Sequence, residues 1–74
     1  MSVATIAAGA NANTGALAAD NVVFIQTGKV WCSTDGGTTK IPFDAGEKVV
    51  FSAGLTVTFY NDGLSPAEVR YMAL

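Results

Sequence analysis

The sequence predicts an all-β protein, a six- to seven-stranded antiparallel β-sandwich or flattened barrel with an extended N-terminal arm. Three observations carry the prediction. Leu55-Thr56-Val57-Thr58-Phe59-Tyr60 alternates strictly, with Leu55, Val57 and Phe59 on one side and Thr56, Thr58 and Tyr60 on the other. That is the period of a strand with one face in a core. From Val22 onward, short runs of β-branched and aromatic residues are separated by glycine, aspartate or asparagine turns. Finally, the hairpin registers these turns suggest put the apolar residues of neighbouring strands on one common face.

Residues 1–21 stand apart as an arm before a β-domain at 22–74. They are rich in Ala, Gly, Asn and Thr, with Asp20 the only charged side chain and no aromatic residue. Val3-Ala4-Thr5-Ile6 suits a short strand, and a helix over 15–20 is too short to stand alone. The segment reads either as an unordered tail or as an extended arm laid on a neighbouring subunit. In both readings its removal leaves the β-domain folded.

Val22-Val23-Phe24-Ile25-Gln26 and Lys29-Val30-Trp31-Cys32-Ser33 flank Thr27-Gly28. A two-residue hairpin there sets Ile25 against Val30, Val23 against Cys32, and Phe24 against Trp31 on the other side. Gly36-Gly37 is the next tip, setting Cys32 against Ile41 and Val30 against Phe43. Pro42 cannot donate to a ladder, so its strand belongs at a sheet edge. Asp44-Ala45-Gly46-Glu47-Lys48-Val49-Val50-Phe51 is echoed eight residues on by Ser52-Ala53-Gly54-Leu55-Thr56-Val57-Thr58-Phe59. A three-residue loop, Ser52-Ala53-Gly54, sets Phe51 against Leu55 and Val49 against Val57. The last strand, 68–73, sets Val69 against Phe59 and Tyr71 against Val57. The expected result is two three-stranded meanders, 22–43 and 47–73, packed face to face. A jelly-roll-like order, with connections crossing between sheets, uses the same strands.

At 74 residues the chain is one small domain, half apolar and 14% charged. So apolar a surface on so short a chain predicts a homo-oligomer. The net charge is −2, and Lys29, Lys40, Lys48 and Arg70 are scattered, which argues against nucleic acid as a partner. No run approaches the ~20 apolar residues of a membrane helix. The N-terminus has no basic region or unbroken apolar core, so no signal peptide is expected.

No residue pattern suggests an enzyme or a cofactor. Cys32 lacks any histidine to activate it and reads as a buried apolar residue. Asp35, Asp44 and Asp62 sit beside turn glycines and read as turn residues rather than metal ligands. Glu47 and Glu68 show no sign of converging as an acid–base pair. The outer faces are more informative. Phe24 and Trp31, with Val22 and Pro42 nearby, form an aromatic patch suited to a subunit interface, to packing under the arm, or to stacking on a sugar.

The Ala/Gly/Asn-rich arm, the compact β-domain with one cysteine, the phrase Val57-Thr58-Phe59-Tyr60-Asn61-Asp62-Gly63 and the closing strand Glu68-Val69-Arg70-Tyr71-Met72-Ala73-Leu74 together resemble the small all-β virion proteins of tailed bacteriophages, chiefly head decoration or cement proteins. The resemblance covers most of the chain as a plan and carries over no family site. It implies a virion protein made in the host cytoplasm that binds the major capsid protein or another virion protein, as a trimer, and stabilises the shell. The expected oligomer or capsid interface is Val3, Ile6, Val22, Phe24, Trp31 and Pro42. The alternative is a carbohydrate- or receptor-binding module on a phage fibre, with a glycan as partner.

Overall fold

The computed structural model describes residues 1–74 as eight strands with no helix: β1 (Ser2–Ile6), β2 (Asn11–Ala16), β3 (Asn21–Thr27), β4 (Lys29–Ser33), β5 (Ile41–Asp44), β6 (Lys48–Phe51), β7 (Thr56–Tyr60) and β8 (Ala67–Ala73). They form two four-stranded antiparallel sheets, β1-β8-β3-β6 and β2-β7-β4-β5. Only the β4–β5 connection stays within a sheet. Every other connection carries the chain across to the opposite one.

The all-β expectation therefore holds, but the two meanders do not form. β3 pairs with β6 and β8, not with β4. β6 pairs with β3, not with β7, and β8 pairs with β1 and β3, not with β7. The β4–β5 register is the expected one, with Val30 opposite Phe43 and Cys32 opposite Ile41. β5, which carries Pro42, is an edge strand as its missing N–H requires.

The N-terminal segment is not an arm. Ser2–Ile6 pairs along its whole length with β8, and Asn11–Ala16 pairs with β7 across a bulge between Asn13 and Ala16. Ile6 and Leu17 are core residues. Low β-propensity did not keep Asn11–Ala16 out of a sheet, because pairing with β7 overrides propensity at an edge.

The core joins both inner faces: Ile6, Val23, Ile25, Ala67 and Val69 from one sheet, Val30, Cys32, Val57 and Phe59 from the other, with Leu17 between strands. Phe59 and Tyr71 meet across it with ring centroids 5.9 Å apart. Ile41 and Leu55, expected inside, are exposed: Ile41 opens the edge strand β5, and Leu55 lies in the turn just before β7. The accessible surface is 4055 Å², close to the ~4,300 Å² that mass scaling gives a compact monomer of this size.

Gly28 makes the β3–β4 crossing feasible. Its φ is +77°, and a Cβ there would lie 2.9 Å from Ala67 Cβ and 3.1 Å from both Ala67 Cα and the Pro66 carbonyl oxygen. Gly28→Ala is expected to cost about 1–3 kcal/mol from the backbone conformation alone, with steric overlap added. Urea unfolding of the variant checks this. A midpoint equal to the parent's would show that the crossing does not depend on the glycine.

Candidate interaction surfaces

The expected interface residues do not form one site. Ile6 is 2% exposed and belongs to the core. Val3, Val22 and Phe24 lie on the outer face of the β1-β8-β3-β6 sheet, whereas Trp31 and Pro42 lie on the outer face of the other sheet. The expected Phe24–Trp31 pair is thus split across the thickness of the molecule. The cause is the Thr27-Gly28 connection, which crosses between sheets instead of closing a hairpin.

On the first outer face, register builds rows across the strands. One runs Val3, Arg70, Phe24, Lys48. The next runs Met72, Val22, Val50 and is wholly apolar. Val3 and Val50 are each 56% exposed and Met72 42%. The row beyond Arg70 is polar, and its Glu68 Oε2 accepts from Arg70 Nε at 3.1 Å. Lys48 is the one cationic side chain without an ion pair.

The other outer face is different. Its central row runs Asn11, Tyr60, Trp31, Pro42. Lys40 Nζ lies 4.1 Å from the Tyr60 ring centroid and pairs with Asp62 at 3.3 Å. Lys29 Nζ lies 5.4 Å from the Trp31 ring and 4.0 Å from Asp44 Oδ1. Each ring is thus partnered by an ion-paired ammonium, a favourable cation–π arrangement. The sequence offers no partner for Tyr60 on this face. Its alternation with Thr56 and Thr58 did place it outward, but its pairing with Trp31 required a β4–β7 ladder that local pattern does not reveal.

The 34–40 connection between β4 and β5 is organised by Ser33 and Asp35. Ser33 Oγ donates to Asp35 Oδ1 at 2.6 Å and accepts from the Gly37 amide at 2.9 Å; Asp35 Oδ1 also accepts from the Thr39 amide at 2.9 Å. These bonds to the carboxylate, first that from Ser33, hold Asp35 below the usual carboxylate range. Asp35 is a turn residue, as expected. Gly37 passes so close to Tyr60 that a Cβ there would meet Oη at 2.6 Å.

Cys32 is 2% exposed within the core, and burial pushes its thiol up to about 12. It stays neutral near neutral pH and lacks the thiolate that nucleophilic chemistry uses. No group of three or more His, Cys, Asp or Glu side chains is placed to hold a metal ion, and the surface carries no pocket.

Sequence reasoning missed Asn61. It is 1% exposed at the end of β7. Its Nδ2 donates to the Ile6 carbonyl at 2.9 Å and the Ser65 carbonyl at 2.8 Å, and its Oδ1 accepts from the Gly63 amide at 3.1 Å. Its backbone carbonyl accepts from the Gly9 amide at 2.7 Å, and its amide donates to the Ala10 carbonyl at 3.0 Å. It ties the β1–β2 loop to the β7–β8 loop, whose Leu64 projects fully into solvent.

No protein-family model and no curated protein matches the chain.

Proposed function

We propose that this chain is a structural virion protein, a capsid decoration protein that binds a capsid surface as a homo-oligomer. We also read its strand orders as those of a small jelly roll, eight strands in two sheets linked almost throughout by crossings. The observation that carries the functional reading is the contrast between the two outer faces. One presents the unbroken apolar row Met72, Val22, Val50 with Val3 and Phe24 beside it. On the other, ion-paired lysines partner the aromatic rings. A monomer gains nothing by leaving such a row in water, whereas a protein that docks on a shell uses it as the centre of an interface. Bound to the assembled lattice and not to its parts, the protein would stabilise the lattice by mass action.

The second reading, a glycan-binding module, is favoured by the adjacency of Trp31 and Tyr60, with Asn11 and two lysines around them. One experiment separates the two. Val50→Glu with Met72→Glu places carboxylates in the apolar row at exposed positions. On the decoration reading, binding to capsids of the phage that encodes the chain falls at least tenfold, about 1.4 kcal/mol, while circular dichroism stays unchanged. Trp31→Ala leaves capsid binding intact. Full capsid binding by the double variant, with glycan-array binding lost in Trp31→Ala, would reverse the assignment.

A further inference from the structure

Two sheets leave four edge strands, and three of them carry features that discourage pairing with another chain. β5 is four residues long and contains Pro42. β6 is four residues long and begins with Lys48. β2 is broken by its bulge between Asn13 and Ala16, where the Asn13 side chain accepts the Gly15 amide. Short length, proline, lysine and bulges are the devices by which sheet proteins blunt their edges. β1, one residue longer than β5 and β6, has no proline, lysine or bulge. Its five residues, Ser2-Val3-Ala4-Thr5-Ile6, hold an unbroken register with β8 and include no charge, proline or glycine.

We propose that two copies of the chain pair antiparallel along β1 about a two-fold axis at Ala4. The inference names the interface of the homo-oligomer invoked above and rests on that part of the reading, not on capsid attachment. The strand suits a second copy of itself. The axis falls on a small residue, Val3 faces Thr5 of the second copy, and no like charges meet across the ladder. Residues facing each other share a side of the sheet, so inner faces join inner faces and outer faces join outer faces. The outcome is one eight-stranded sheet, β6-β3-β8-β1 continued by β1-β8-β3-β6 of the second copy. The exposed Val3 of each copy then lies inside a continuous surface, and two apolar rows stand on the same side of it. The apolar patch is thereby doubled without any new side chain.

Light scattering at micromolar concentration should give twice the chain mass. Val3→Lys with Thr5→Lys puts like charges opposite one another across the axis and should give a monomer. Val3→Glu with Thr5→Lys puts opposite charges there, and also sets the new acid beside Arg70 and the new base beside Glu68 of the same chain. It should stay dimeric. Amide exchange of residues 2–6 in the unmodified protein should slow as concentration rises, a readout that requires no variant to fold. A monomer, a trimer, or a dimer indifferent to the paired lysines would overturn the proposal. So would concentration-independent exchange in β1. A dimer that fails to bind capsids leaves this interface standing and removes the decoration reading. A monomer that binds them does the reverse.

Discussion

Deleting residues 1–20 is expected to unfold the protein. The truncation removes β1, one of the two strands paired with β8, and β2, one of the two paired with β7. It takes Ile6 and Leu17 out of the core, with Ala4 and Ala12 that pack against it. Emptying buried Leu or Ile sites costs about 2–5 kcal/mol each. A domain of this size has on the order of 4–11 kcal/mol of stability in all, so two such losses approach the total before any ladder bond is counted. β7 and β8 would also become raw edges, open to aggregation. Far-UV circular dichroism and an amide NMR spectrum read the result directly. A soluble, cooperatively melting 21–74 fragment would mean that the first two strands are dispensable.

Replacing Asn61 with alanine is expected to cost about 3 kcal/mol, the largest effect of any single side chain that is not part of the apolar core. The loss leaves the Ile6 and Ser65 carbonyls and the Gly63 amide without their partners. Each buried polar group so stranded costs roughly 1–3 kcal/mol, and only the deepest will feel the full penalty, because the loop can admit water. By the usual relation for small domains, the melting temperature should fall by about 12–24 °C. Asn61→Leu, which keeps the bulk, should be no better, which separates lost hydrogen bonding from lost volume. Chemical denaturation with an unchanged slope is the check; a loss under about 1 kcal/mol in both variants would show the knot to be ornamental. Amide exchange at Gly63 should rise, since its acceptor is the lost Oδ1, and should rise more than at Gly9, whose acceptor is the backbone carbonyl that the variant keeps.

A short, apolar chain suggested a fold completed by its neighbours, with the N-terminal segment lent to another subunit. Instead that segment completes its own two sheets, and the molecule has the surface of a compact monomer. The features on which the proposed contacts rest are one apolar row on one outer face and one edge strand without proline, charge or bulge.

Side-chain facing was legible in the sequence to a large degree. Alternation together with the expected hairpin registers places Val23, Ile25, Val30, Cys32, Val57, Phe59 and Val69 inward, and all are buried even though the β3–β4 and β7–β8 registers do not form. The β4–β5 register and the edge position of Pro42 were legible too, because a local hairpin and a missing N–H are local facts. Alternation has a period of two residues and reports only which side of a strand is wet. It cannot report which sheet the strand enters. The inner faces of the two sheets share one core, so Ile25 and Val30 are equally satisfied as hairpin neighbours or on opposite sheets. Closure over the whole chain chose between them, giving β8 and β3, and β7 and β4, a partner on each side. That choice separated Phe24 from Trp31, brought Trp31 beside Tyr60, drew β1 and β2 into the sheets, and buried Asn61 where two distant loops meet. Each of these depends on contacts between residues far apart in the chain, and local pattern carries no trace of such contacts.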